Sequence, residues 1–111
     1  MPLKCDIAIL ICSRGREEYL TRLIADMDRA FMPALEAGGM PVCTLVYAQG
    51  YPADFIAGLE RDHASAIAAG DLIIIEAAEP HQTIGALFAA AARALDARVG
   101  YRLAMLMDDD S

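Results

Sequence analysis

Short apolar runs alternate along this chain with longer segments in which apolar residues recur at helical spacing. The runs are CDIAILIC at 5–12, VCTLVY at 42–47, DLIIIE at 71–76 and YRLAMLM at 101–107. Each is bounded by turn-forming residues, and such short continuous runs are typical of strands that are buried on both faces of a sheet. The pattern therefore predicts four buried strands.

The segments between the runs each predict a helix with one apolar face. The apolar stripes cover residues 20–35, 55–67 and 84–99, and each segment ends at a glycine. Pro33 should kink or split the first helix, because proline has no amide hydrogen to donate. His63 lies on the second stripe and is expected to be a partly buried structural residue. Thr83 precedes the third helix and is expected to cap it.

This order of elements predicts an α/β fold with a Rossmann-like, mainly parallel sheet and flanking helices. In such a sheet the carboxyl ends of the strands meet at one edge, and helix N-termini point towards it. Residues 13–16, 48–51, 76–83 and 108–111 should therefore face one crevice. Tyr51, beside Gly50, has two open interpretations: it stacks on a nucleotide base, or it packs on the surface of its turn.

Composition and charge narrow the possible functions. With 111 residues, 57% of them apolar, residues 1–111 are expected to form one domain. The formal charge of −7 excludes nucleic acid as the main partner, because binding its phosphates needs a basic surface. No uncharged apolar run reaches about 18 residues, so no transmembrane segment is predicted. The first residues do not resemble a signal peptide, and the cytoplasm is the expected location.

The three cysteines predict no disulfide and no zinc site. Cys5 and Cys12 lie about 23 Å apart if their run is an extended strand with a rise of ~3.3 Å per residue, which is beyond disulfide reach. Cys43 has no obvious partner, and the sequence contains no CxxC pair. All three are expected to be small hydrophobic core residues.

Three consecutive aspartates, Asp108, Asp109 and Asp110, follow the fourth run. Their carboxylates repel one another in a tight turn unless a cation neutralises them. Magnesium and manganese favour such oxygen ligands and commonly share a bound phosphate. The alternative is an acidic segment that is simply solvated.

A basic turn follows the first run. Arg14 and Arg16 flank Gly15 immediately before the first helix, where backbone amides and the helix dipole favour an anion. Their guanidinium groups would add bidentate phosphate contacts, although they could instead be solvated and paired with Glu17 or Glu18. The chain has neither a GxxxxGK[ST] nor a GxGxxG sequence after a strand, so the common mononucleotide and dinucleotide motifs do not apply.

The segments ILICSRGREEYLTRLI at 9–24 and LAMLMDDDS at 103–111 resemble the nucleotide-binding half of GT-A fold glycosyltransferases. In that family the first strand ends in a P-x-R-x-R turn and the fourth in a DxD metal motif. The resemblance is to the β-1,4-galactosyltransferase-like and family 2-like groups. It is strongest to the first of these, in which a strand that ends in an x-Q-x-G-like turn follows the first helix. Here that stretch is VYAQG at 46–50, and the resemblance extends over nearly the whole chain.

By this resemblance, the residues that contact the base and the diphosphate would be Cys12, Ser13, Arg14 and Arg16, with Gln49 in the second turn. Two features depart from the family pattern. Cys12 stands where the family usually has proline, and the third helix lacks the Arg, Lys and Asn that many relatives present there.

The acidic turn carries the remaining implied roles. Asp108 would face the ribose or the sugar, Asp109 could contact the ribose, and Asp110 would bind Mn²⁺ or Mg²⁺ through the diphosphate. The implied ligand is UDP or a UDP-sugar, from which a hexose would pass to an unknown acceptor. No catalytic base is identified within 1–111, so the chain is expected to be the N-terminal part of a longer domain. A nucleotide-diphosphate-binding module without transferase activity, and a purely structural domain, are the alternatives.

Overall fold

The computed structural model describes residues 3–76 and 83–108 and confirms the α/β architecture. Strands and helices alternate as the sequence predicts. The strands are β1 (Leu3–Arg14), β2 (Val42–Gln49), β3 (Leu72–Glu76) and β4 (Gly100–Asp108). The helices are α1 (Glu17–Asp26), a π-helix (Met27–Phe31), α2 (Met32–Ala37), α3 (Ala53–Asp62), α4 (Ala64–Ala69) and α5 (Ile84–Arg98).

The four strands form one parallel sheet in the order β3-β2-β1-β4. Strands β1 and β2 extend further than predicted, so the residues at 13–14 and 48–49, which were expected in turns, continue the strands. The parallel pairing holds up to these last residues. The carboxyl ends of β1 and β2 therefore lie side by side.

Two apolar clusters cover the two faces of the sheet. One packs sheet residues against the helices between β1 and β3; its buried members include Ile9, Ile11, Val46, Leu20, Ile24, Ile56 and Leu59. The other packs the opposite face against α5; its members include Ala8, Leu10, Leu45, Leu87, Ala91 and Leu95. Consecutive residues of β1 and β2 thus enter opposite clusters, which confirms the prediction that these strands are buried on both faces.

Strand β4 departs from that prediction. It is an edge strand that pairs only with β1 within the described sheet, and Leu103 and Leu106 are 58% and 62% exposed. Met105 is also exposed, whereas Tyr101 and Ala104 pack against the α5 cluster. An apolar run indicates that a strand can be buried, but it does not indicate whether the strand is central or lies at the edge of the sheet.

The first helical segment becomes irregular near Pro33, but α1, the π-helix and α2 follow one another without a non-helical residue between them. The amide of Met32 donates to the carbonyl of Met27, five residues earlier, where the helix widens into the π-helix. Pro33 is the second residue of α2 and cannot donate to the carbonyl of Arg29. The segment ends at the predicted Gly38-Gly39 pair, where Gly39 has a φ of +85° that glycine adopts readily.

The second helical segment is not continuous, contrary to the prediction. His63 separates α3 from α4 with φ −119° and ψ 30°, outside helical geometry. Its side chain is only 11% exposed, and its Nδ1 lies 3.2 Å from Oδ2 of Asp28 in the π-helix. The break therefore coincides with a contact between two helical segments that lie far apart in sequence.

The prediction for the cysteines is wrong in one respect. All three are buried, but Cys5 and Cys43 form a disulfide with a Cα–Cα distance of 6.2 Å, and Cys12 is free. The parallel pairing of β1 with β2 brings the two residues together, although 38 positions separate them in the sequence. Spacing within one strand carries no information about a neighbour in the next strand. Disulfides persist mainly in oxidising compartments, so this pair does not favour the expected cytoplasmic location.

Within residues 3–76 and 83–108, none of the helices combines the length and the apolar character that crossing a bilayer requires.

Candidate functional site

The register of the sheet brings the first residue of the aspartate triplet to the edge at which the basic turn begins. Cys12 pairs with Tyr47 on one side and with Asp108 on the other, and Arg14 pairs with Gln49. These pairings lie at the carboxyl ends of β1, β2 and β4. The predicted convergence is therefore confirmed for the backbone of these strands.

The basic turn connects β1 directly to α1. Arg14 is the last residue of β1, Gly15 has a φ of +61°, and Arg16 is the N-cap residue of α1. Both arginines are exposed. Within the described ranges, no carboxylate lies within ion-pairing distance of the Arg14 guanidinium. The turn thus places two cationic side chains beside the positive end of a ten-residue helix.

Ser13 and Cys12 precede this turn and lie inside the protein. Ser13 is fully buried and Cys12 is 1% exposed, with its side chain in the cluster beneath α5. Gln49 is also buried, at 5% exposure. The side chains of these three predicted site residues are therefore not exposed at this edge. The exposed side chains of the turn are those of the two arginines.

Tyr51 connects the two turns that follow β1 and β2. Its hydroxyl accepts a hydrogen bond from the backbone amide of Arg16 at 3.0 Å and is also hydrogen-bonded to the hydroxyl of Ser13. Its ring stacks on Phe55, with centroids 5.1 Å apart and planes 19° apart. The side chain thus packs against its own protein, the second of the two interpretations that the sequence left open.

Sequence reasoning did not identify this connection. The available signal was weak: Tyr51 lies just before the second helical segment and Phe55 lies in its first turn, so the two rings are close in sequence. Nothing in the sequence links Tyr51 to Ser13, which lies 38 positions away. The contact follows only from the parallel pairing of β1 with β2.

Asp109 and Asp110, together with Ser111, lie outside the described residues, and Asp108 is described only as the last residue of β4. Across residues 3–76 and 83–108, no group of three or more His, Cys, Asp or Glu side chains is arranged to hold a metal. The only support for the implied manganese or magnesium site is therefore the chemistry of its donors, because three adjacent carboxylates suit a hard divalent cation. It remains a prediction.

The N-terminus of α5 is capped by its own chain. Thr83 Oγ1 accepts a hydrogen bond from the Ala86 amide at 3.2 Å, which confirms the predicted capping role. Gln82, the polar residue that precedes Thr83, lies outside the described residues. One of the amides that could bind a ligand at this helix terminus is therefore already satisfied.

The sequence matches no protein-family model and no curated protein. The functional assignment consequently depends on the residues of this chain and on their placement at the carboxyl edge of the sheet.

Proposed function

We propose that this chain binds a nucleoside diphosphate-sugar, with UDP as the nucleotide, as part of a metal-dependent glycosyltransferase of the GT-A type. The observation that supports the proposal is the register of β1 with β4. This register joins the Arg14–Arg16 turn and the start of the aspartate triplet at one edge of a parallel sheet. A diphosphate with a bound divalent cation suits a basic turn after one strand and a run of aspartates that begins at the end of the adjacent strand.

The arginines would bind and orient the diphosphate. Guanidinium groups make bidentate hydrogen bonds to phosphate oxygens, and the N-terminus of α1 adds its favourable dipole. Both side chains already project from a backbone that is fixed on one side by β1 and on the other by α1. These residues would hold the diphosphate where it departs from the sugar, so the negative charge that develops on departure is stabilised.

Asp110, with Asp108 and Asp109 beside it, would hold Mn²⁺ or Mg²⁺. When bound, the ion supplies Lewis-acid stabilisation to the departing diphosphate. The sugar acceptor is unknown, and no residue of this chain is assigned as the catalytic base.

Calorimetric titration with UDP and with uridine, in the presence of manganese, tests the role of the arginines. Arg14→Ala and Arg16→Ala should each weaken UDP binding by about 1.5 to 3 kcal/mol, or roughly 10- to 150-fold, the range for a lost charge-assisted hydrogen bond. Uridine binding should change much less. Arg61→Ala is a matched control, because Arg61 is exposed near the far end of α3 and its loss changes the net charge equally. Equal losses for uridine and UDP would contradict phosphate recognition by these arginines.

The same titration with excess chelator tests the metal. UDP should bind much more weakly without manganese, because the cation relieves the repulsion between the diphosphate and the aspartates. An unchanged affinity would remove the metal from the proposal. Incubation of the metal-loaded protein with a UDP-sugar, with release of UDP as the readout, then tests whether this chain acts on the donor by itself. Release of UDP would exclude a module that only binds the nucleotide.

A further inference from the structure

Two hydrogen bonds to one phenolic oxygen bracket the basic turn. The hydroxyl of Tyr51 is hydrogen-bonded to the hydroxyl of Ser13, which precedes the turn, and accepts a hydrogen bond from the backbone amide of Arg16, at the end of the turn. Arg14 and Gly15 lie between these two anchor points. The turn is therefore attached at both ends to a residue that follows a different strand.

The tyrosine is itself held in place. Gly50, with a φ of +79°, turns the chain out of β2, and the ring of Tyr51 then stacks on Phe55 in the first turn of α3. The ring is partly buried, while its partner Ser13 is fully buried. A stacked ring has few alternative rotamers, so the position of its hydroxyl is fixed by the second strand and the helix that follows it.

Without these hydrogen bonds, the backbone of the turn would be free to change its conformation. Gly15 adopts a left-handed conformation, and glycine has access to more backbone conformations than any other residue. Arg14 and Arg16 flank it and have long, exposed side chains. Any freedom at Gly15 would move the two guanidinium groups relative to each other. A ligand that needs both groups would then have to order the turn when it binds.

We infer that Tyr51 is a positioning residue, which orders the Arg14–Arg16 turn before a ligand arrives and so increases the affinity for a diphosphate. The part that concerns the diphosphate rests on the proposed function, whereas the ordering of the turn does not. Tyr51 acts through the backbone of the turn and touches no phosphate.

Tyr51→Phe is the appropriate variant, because it keeps the ring that stacks on Phe55 and removes only the hydroxyl. Tyr19→Phe is the matched control, since Tyr19 is exposed on α1 and loses the same atom. Limited digestion with trypsin gives a readout that needs no ligand, because trypsin cleaves after arginine. In Tyr51→Phe, cleavage after Arg14 and Arg16 should become several-fold faster relative to cleavage after Arg61 in the same digest.

Calorimetry with UDP and uridine provides the second readout. Tyr51→Phe should weaken UDP binding about three- to ten-fold, the effect of losing one or two neutral hydrogen bonds that stabilise the turn. It should leave uridine binding unchanged. Ser13→Ala, which removes the other partner of the phenol, should shift both readouts in the same direction, whereas Tyr19→Phe should shift neither.

The outcomes separate this inference from the proposed function. Unchanged cleavage after Arg14 and Arg16 in Tyr51→Phe overturns the inference, whatever happens to UDP binding. Faster cleavage with unchanged UDP affinity overturns the positioning role, and equal losses for UDP and uridine would indicate a merely structural effect. If the wild-type protein binds no UDP, the proposed function fails, while the cleavage rates still decide whether Tyr51 orders the turn.

Discussion

The disulfide between Cys5 and Cys43 should make a large contribution to stability. It links β1 to β2 and encloses α1, the π-helix and α2 in a closed segment whose ends are 38 positions apart. In the chain-entropy description, closing a loop of this length removes conformational freedom from the unfolded chain worth about 4 kcal/mol at 25 °C. Measured effects of disulfides fall at or below such values. Reduction should therefore lower the free energy of unfolding by about 2 to 4 kcal/mol.

The corresponding change in melting temperature follows from the size of the chain. An unfolding entropy of about 2.1 cal/mol/K per residue, over 111 residues, gives about 0.23 kcal/mol/K. Scanning calorimetry with and without a reductant should thus show the midpoint falling by about 9 to 17 °C on reduction. A thiol assay on the denatured, unreduced protein should detect the single thiol of Cys12.

Two variants serve as controls for this experiment. Cys43→Ala cannot form the disulfide, so its midpoint should be low and should not respond to the reductant. Cys12→Ala retains the disulfide, so its midpoint should still fall when the reductant is added. Three thiols in the denatured wild-type protein, or a wild-type midpoint that the reductant does not move, would refute the assignment. All three cysteines would then be small core residues only, as the sequence alone predicts.

Two further predictions concern a helix terminus and the sheet edge. Thr83→Ala should lower the free energy of unfolding by about 1 kcal/mol in urea titrations, because it removes the cap of α5. Thr83→Ser should retain most of the stability, and equal losses in the two variants would contradict a capping role. The exposed apolar side chains of β4 should make the 111-residue protein bind hydrophobic dyes and self-associate in sedimentation experiments. Leu106→Lys should reduce both dye binding and self-association, whereas Ala97→Lys, at an exposed position of α5, should reduce neither. A wild-type protein that is monomeric and binds no dye would contradict this reasoning.

The sequence predicts the sheet well because each buried strand leaves a local pattern. Most residues of β1 and β2 are apolar, and the structure places alternate apolar residues in the two clusters on opposite faces of the sheet. The helices between the strands are marked by apolar residues that recur every three to four positions. Pro33 lies at the start of α2, where its missing amide hydrogen is tolerated, and Gly39 has the positive φ that glycine adopts readily. The order of strands in the chain then implies parallel pairing and a shared carboxyl edge.

Contacts between distant segments were not predictable in the same way. The Cys5–Cys43 disulfide, the contact of His63 with Asp28 and the bond of Tyr51 with Ser13 each join residues at least 35 positions apart. Each depends on which strands or helices are neighbours and on their register. The exposure of β4 has the same origin, because a sheet edge is defined by the absence of a neighbouring strand within the described sheet.

The geometry of the carboxyl edge connects the two halves of the proposed site. Adjacent strands are about 4.8 Å apart, and Cys12 of β1 is paired with Asp108 of β4. A diphosphate held at the Arg14–Arg16 turn would thus lie within a few ångströms to about 10 Å of the backbone of Asp108, a distance over which salt screens charges only partly. The chain as a whole is also acidic, with a formal charge of −7. Without a cation, the two arginines alone would have to offset the repulsion between the diphosphate and the acidic residues of the chain. Because a cation that improves diphosphate binding must itself bind better when the diphosphate is present, the two affinities should rise by the same factor.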